Sequence, residues 1–130
     1  MPAADAAANK ELVRKAITEL FINRDLSALD RYWGDTYVQH SPGAPNGREA
    51  LPGLIKSLGP GFKYEVGMML ADGDLVAAHG RYTGFGPKPM IVVDLFRVKD
   101  GKLVEHWDVV QEEVPAAQTK SGNSMFSLAR

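Results

Sequence analysis

Apolar residues Leu12, Val13, Ala16, Ile17, Leu20 and Phe21 recur at helical spacing, with Lys10, Arg14, Lys15 and Glu19 on the opposite face. This pattern predicts an amphipathic helix capped by Asn9, with the alanine-rich residues 3–9 as a loose lead-in. Asn23-Arg24-Asp25 interrupts the helix, and Asp25 is placed to cap a second, short one carrying Leu26, Leu29, Tyr32 and Trp33 and ending at Gly34. Tyr37-Val38-Gln39-His40 reads as a short strand, because residues 41–47 are dense in Ser, Pro, Gly and Asn. Asn46 with Glu49 three residues on resembles a capping box, so a third helix is expected there, its start made irregular by Pro52 and Gly53.

Beyond residue 61 the period changes from helical to alternating. Four runs, 62–70, 75–83, 89–98 and 103–111, are separated by Asp72-Gly73-Asp74, by the Gly- and Pro-rich residues 84–87 and by Asp100-Gly101, all suited to hairpins. Three helices followed by a meander of four long strands, with one short strand before them, predict an α+β fold in which an antiparallel sheet curves around the helices.

The last hairpin carries the chemistry, and its register decides which polar residues share a face. A three-residue loop, Lys99-Asp100-Gly101, pairs Val98 with Lys102 and sets Asp94 opposite His106. Asp94, His106 and Asp108 then point the same way as Val92, Phe96, Val104 and Val110, with opposed Cβ atoms about 5 Å apart. A two-residue loop would instead put Asp94 and Asp108 on opposite faces. In the first register a carboxylate lies beside an imidazole within an apolar wall, an arrangement suited to proton transfer near neutral pH and equally to a satisfied polar pair inside a core.

The 130 residues, 45% of them apolar, suffice for one core, so residues 1–130 are read as a single domain with a lead-in over 1–8 and a tail over 114–130. The tail is polar apart from Met125-Phe126 and is expected to dock on the domain or on a partner. Without cysteine there is no disulfide or thiolate chemistry, and a cytoplasmic protein is the simplest expectation. Fifteen basic and sixteen acidic side chains, scattered singly, argue against nucleic acid, and no apolar run nears the roughly 20 residues of a membrane span. No phosphate-binding glycine loop implies an organic cofactor. The three histidines lack the spacing of a local metal site, so no metal is expected and any donor set would have to be tertiary. His79 lies mid-strand, on a face the pattern leaves undetermined.

The run Val92-Val93-Asp94-Leu95-Phe96-Arg97-Val98 with Asp100-Gly101-Lys102-Leu103-Val104-Glu105-His106-Trp107-Asp108 resembles the final hairpin of the SnoaL-like polyketide cyclases, of the NTF2-like (nuclear transport factor 2) superfamily that also holds the ketosteroid isomerases and limonene epoxide hydrolases. The likeness extends through the helical hairpin, Tyr37-Val38-Gln39-His40, Asn46-Gly47-Arg48-Glu49-Ala50-Leu51 and residues 75–82. It implies a cone of curved sheet closed by helices, with a cavity at the wide end, and usually a homodimer formed through the sheet's outer face. It implies an acid/base role for Asp108, an oxyanion-hole position for Asp94, a case of the kind seen in ketosteroid isomerase, and, after a one-residue gap, a general-base position for His40. Ile17 occupies the place of the isomerases' oxyanion-hole tyrosine.

These readings give His40, Asp94, His106 and Asp108 as candidate catalytic residues. Tyr37, Phe96, Tyr32, Trp33 and Ile17 are the candidate ligand contacts, with Phe62, Tyr64 and Met90 as further aromatic or apolar lining. The expected function is a cofactor-independent enzyme of cyclase, isomerase or lyase type, performing an aldol-type cyclisation or isomerisation through an enolate of a small apolar carbonyl compound. The alternative is a non-catalytic domain of the same fold that binds small hydrophobic ligands or dimerises.

Overall fold

A computed structural model describes residues 2–128 of the chain. Helix α1 spans Pro2–Ile17 and runs on into a π-helical turn, Thr18–Ile22. The helix thus begins well before Asn9, correcting both the cap and the loose lead-in: the Asn9 amide instead donates to the Gly73 carbonyl at 3.1 Å, tying α1 to a hairpin turn. Val13, Ala16, Ile17 and Leu20 are fully buried. Arg24, in the left-handed region at φ 56°, ends the helix, and its guanidinium donates to the carbonyls of Leu58 and Gly59.

Helix α2 is Ala28–Tyr32, preceded by Asp25, whose carboxylate accepts from the backbone N–H and the hydroxyl of Ser27. Trp33 and Gly34 open the strand β1, Trp33–Gln39, rather than closing the helix, because Trp33 turns into the core and is only 1% exposed. A 3-10 turn, Arg48–Ala50, leads into α3, Leu51–Ser57. The expected capping box is absent: Asn46 Oδ1 accepts from the Gln39 N–H at 2.8 Å, pinning the loop to the end of β1 instead.

Strands β2 (Lys63–Asp72), β3 (Leu75–Thr83), β4 (Met90–Lys99) and β5 (Lys102–Glu112) follow the alternating runs closely. The sheet order is β1-β5-β4-β3-β2, antiparallel except that β1 pairs in parallel with β5. Three helices packed on one face of a curved, unclosed five-stranded sheet make the α+β cone expected from the sequence. Its core joins α1, α2 and α3 to the inward residues Tyr64, Val76, Ala78, Val92, Phe96, Val98 and Leu103.

The tail turns back across the outer face of the sheet. The ring of Phe126 lies 5.9 Å from that of His79, which therefore faces outward, and the Val114 N–H reaches the Met125 sulfur at 3.2 Å. Gly67 admits this crossing, because a Cβ there would sit 2.5 Å from the Ser127 carbonyl oxygen.

Candidate functional site

Two features of the β4–β5 hairpin bring the acidic groups together. Lys99 pairs with Lys102 across a two-residue turn, with Asp100 at φ 52° and Gly101 at φ 74°, as a type I′ turn requires. This is the shorter loop, which by itself would have split Asp94 from Asp108. Val98 then pairs with Leu103 but Arg97 with Glu105, so Val104 is an extra residue, a bulge that shifts the register by one. Because side chains alternate with period two, the bulge cancels the effect of the short turn. Asp94 faces Asp108 and Phe96 faces His106, all on the inner side; the expected pairing of Asp94 opposite His106 is corrected by two residues, and the shared face stands.

His106 Nε2 lies 2.8 Å from Asp94 Oδ1, and its Nδ1 lies 2.6 Å from Gln39 Oε1. The Gln39 oxygen also accepts from the Ser41 N–H at 3.1 Å, which fixes the orientation of the amide and makes Nδ1 a donor. A proton must then lie between Nε2 and Oδ1, held as imidazolium with carboxylate or as neutral imidazole with carboxylic acid. The other Asp94 oxygen accepts from the hydroxyls of Tyr64 at 2.5 Å and Tyr82 at 3.1 Å. Asp94 is 3% exposed and His106 8%, so both satisfy the rule that buried polar groups are paired. Burial, and next the charge of Asp94, push the hydroxyls of Tyr64 and Tyr82 well above the ordinary tyrosine value, keeping them protonated as donors. Tyr37, stacked 6.4 Å from the His106 ring, is raised too, first by burial.

Asp108 differs. Its carboxylate is half-buried and makes no hydrogen bond or ion pair with any described residue, although its charge reaches all three tyrosines. It lines a cavity of about 360 Å³ together with Asp94, His106, Tyr37, Tyr64, Tyr82 and Gln39 on the sheet, Ile17 and Phe21 on the first helix, and Leu51, Leu54 and Leu58 on and after α3. Ser41 to Ala44 and Phe85 stand at its rim. Gly80 makes room for the polar cluster, since a Cβ there would meet the Tyr64 ring at 2.7 Å.

Of the candidate residues, Asp94, His106, Asp108, Tyr37, Phe96 and Ile17 line this cavity. His40 does not. Gln39 pairs with His106 and shares its face, so the next residue along β1 must turn outward. There His40 Nε2 meets Glu105 Oε2 at 2.7 Å and its ring stacks on Trp107 at 4.9 Å; that contact, and next Arg97, holds the Glu105 carboxyl below its ordinary value. The one-residue gap that matched His40 to a base position is thus a change of face. Tyr32 is also corrected, its hydroxyl donating to Glu19 at 2.5 Å outside the cavity, as is Trp33, which is core. Phe62 and Tyr64 do line the cavity, whereas Met90 is absent from its lining. Sequence reasoning missed Gln39 and Tyr82; the only signal was their parity, Gln39 one residue from His40 and Tyr82 on the Val76, Ala78, Gly80 face.

Asp94, His106 and Asp108 each offer a donor atom within 4.8 Å of the others, the one such grouping found among the described residues that could hold a metal ion. It is assembled wholly by tertiary pairing of β4 and β5, and in the present geometry His106 Nε2 is engaged with Asp94.

A cone of this topology with a polar cluster inside an apolar cavity defines an NTF2-like domain. The SnoaL-like domain model matches residues 13–106, and the chain belongs to that family. Among solved structures it is similar to wild-type IdmH, a candidate polyketide cyclase from Streptomyces antibioticus, at 23% identity over 79% of this chain and 91% of that one, with a TM-score of 0.65. A candidate ketosteroid isomerase from Kribbella flavida is 19% identical over 83% and 81%, with a TM-score of 0.72. An M. tuberculosis LEH-like epoxide hydrolase is 22% identical over 82% and 84%, with a TM-score of 0.65. At these identities the likeness is one of fold. No curated protein matches the sequence.

Proposed function

We propose that the cavity performs acid–base chemistry on a small apolar carbonyl compound, with Asp108 as general base and the Asp94–His106 pair as the acid. The observation that carries this reading is the contrast between two carboxylates on facing strands: Asp94 has both oxygens engaged, by three partners, and Asp108, opposite it, has no hydrogen-bond partner among the described residues. Divergent environments for paired titratable groups are how a site separates an acid from a base.

In the proposed step, Asp108 takes a proton from the carbon next to a carbonyl, the C–H pair moves into the C–C bond, and the carbonyl π pair moves onto oxygen. The proton between Asp94 and His106 is directed to that oxygen, supported by the hydroxyls of Tyr64 and Tyr82. The enol then attacks a second carbonyl carbon of the same molecule as its O–H proton returns to the Asp94–His106 pair, the new alkoxide taking the proton held by Asp108 to give aldol closure, or it takes that Asp108 proton at another carbon as the O–H proton returns to the pair, giving isomerisation. No step calls on an organic cofactor.

The test is exchange of the α-hydrogens of an aryl ketone such as acetonaphthone in D₂O, followed by NMR. Enzyme-dependent deuterium uptake that falls at least about 100-fold in Asp108→Asn supports the reading, in line with the usual contribution of a positioned base. Uptake that is unchanged in a folded Asp108→Asn, or no uptake with any of a panel of enolisable ketones, refutes it and leaves a binding domain.

The homodimer is proposed on a separate observation. Leu70, Ala77, Leu95 and Trp107 form one row across the outer face, and Val93 and Val109 lie in the next, with Leu70 at 70% and Val109 at 69% exposure. Ion pairs flank the band, Arg81 with Glu65 and Glu113 on one side and Arg97 with Asp74 and Glu105 on the other. Sedimentation showing a monomer, or a dimer undisturbed by Val109→Lys, refutes this placement.

A further inference from the structure

We propose that the cavity selects its ligand by charge, taking a compact ring compound that carries a protonated amine directed at Asp108 and rejecting the corresponding anion. The inference rests on the reading in which Asp108 faces the ligand, and it adds to the enolisable carbonyl compound of that reading an ammonium group, which one Asp108 oxygen pairs with while the other faces the C–H.

The charges inside the cavity set this preference. The Asp94–His106 pair with its one proton between Nε2 and Oδ1 is neutral overall, and Asp108 adds one negative charge. No Lys or Arg lines the cavity among the described residues. Arginines pair elsewhere: Arg14 with Glu11, Arg31 with Glu19 and Asp25, Arg48 with Asp30, Arg81 with Glu113, and Arg97 with Asp74 and Glu105. The strongest donors of the polar cluster are already spent, and no hydrogen bond joins Asp108 to Tyr37, Gln39 or Ser41, which line the same cavity. The Tyr64 and Tyr82 hydroxyls and His106 Nε2 are given to Asp94, and His106 Nδ1 to Gln39.

Asp108 is only half-buried and so remains open to water. A ligand that dries the cavity removes that solvation, and an unpaired buried carboxylate is strongly disfavoured, so the ligand itself must supply a donor or a positive charge. The walls suit a cation. Tyr37, Phe62, Phe85 and Phe96 present aromatic faces or edges to the same space, and ring faces attract ammonium groups once water is displaced. Phe85, 55% exposed and 5.8 Å from the Tyr82 ring, adds an aromatic surface at the rim. A volume of about 360 Å³ is near the small end of ligand pockets, which limits the guest to one or two fused rings with a short arm.

The experiment compares three probes on one ring, naphthylmethylamine, naphthylmethanol and naphthoate, by calorimetric titration at neutral pH. The expected order is ammonium, alcohol, carboxylate, with the ammonium at least about tenfold tighter than the carboxylate. Asp108→Asn should bring these two within about threefold. Equal or inverted affinities in the native protein overturn the proposal, as does the absence of binding by all three. A preference that persists in Asp108→Asn also overturns it, since the cation is then held elsewhere, for example in the second hollow, which Asp5, Asp74 and Asp100 line together with Asn9 and Gly73. If the variant does not fold, the native ranking alone decides.

The outcome is separable from that of the deuterium exchange. Exchange that depends on Asp108 without charge preference removes this inference and leaves the enolate reading. Charge preference without exchange does the reverse.

Discussion

Replacing Tyr64 by Phe removes one oxygen from the most densely bonded part of the protein. The Tyr64 hydroxyl donates to Asp94 Oδ2 at 2.5 Å in a site where the tyrosine is 5% exposed and Asp94 3%. A hydrogen bond to a charged group contributes roughly 1.5–3 kcal/mol net. Part of the loss is recovered, because the Tyr82 hydroxyl, at 3.1 Å, remains on the same oxygen. The ring keeps its packing against Phe21 at 6.2 Å and Tyr82 at 4.8 Å, so no cavity opens. We expect Tyr64→Phe to destabilise the fold by about 1–2 kcal/mol. In an Asp94→Ala background, where the hydroxyl has lost its acceptor, the same change should be neutral or stabilising, because removing a buried unsatisfied donor relieves its desolvation cost. The coupling between the two positions should therefore be about 1–3 kcal/mol, measurable in a double-mutant cycle from urea unfolding followed by the fluorescence of Trp33 and Trp107. A coupling below about 0.5 kcal/mol, with unchanged m-values, would show that the bond contributes nothing to stability and that the cluster is not the structural unit described here.

Alkaline unfolding should begin near pH 10. The folded-state values of Tyr37, Tyr64 and Tyr82 are raised above the ordinary 10.0, so the unfolded chain loses these protons first; the stability linked to them is complete below pH 10 and is lost as pH rises toward the folded-state values. The slope should approach about 4 kcal/mol per pH unit while all three remain protonated in the fold, and Tyr64→Phe should flatten it by about one third. His40→Ala should leave ketone exchange within about twofold of the native rate, since its ring faces Glu105 and Trp107 and not the cavity; a drop of tenfold or more would return His40 to the site.

Much of the architecture is local in origin and therefore readable along the chain. The spacing of Val13, Ala16, Ile17 and Leu20 determined a helix with one buried face, and the alternation in β2 to β5 set four strands whose ends fall within about two residues of those expected. Turn chemistry at Gly73 and at Asp100-Gly101 located the hairpins, because only residues tolerant of positive φ fit there. The hairpin pattern around Asp94, His106 and Asp108 carried both the family and three of the residues that meet in the cavity.

Tertiary structure alone decided the rest, because parity along a strand is changed by a single residue. The bulge at Val104 depends on how β5 packs between β4 and β1, and without it the two-residue turn would have sent Asp108 outward. The parallel pairing of β1 with β5 is set across 67 residues, and it is this pairing that turns Gln39 inward to His106 and His40 outward to Glu105. Tyr64 and Tyr82 reach Asp94 from two other strands, and it is this arrangement that spends their hydroxyls on Asp94 and leaves Asp108 without a hydrogen-bond partner among the described residues. Periodicity tells which residues of one strand share a face; which strands then share a site follows from the closure of the sheet around the helices.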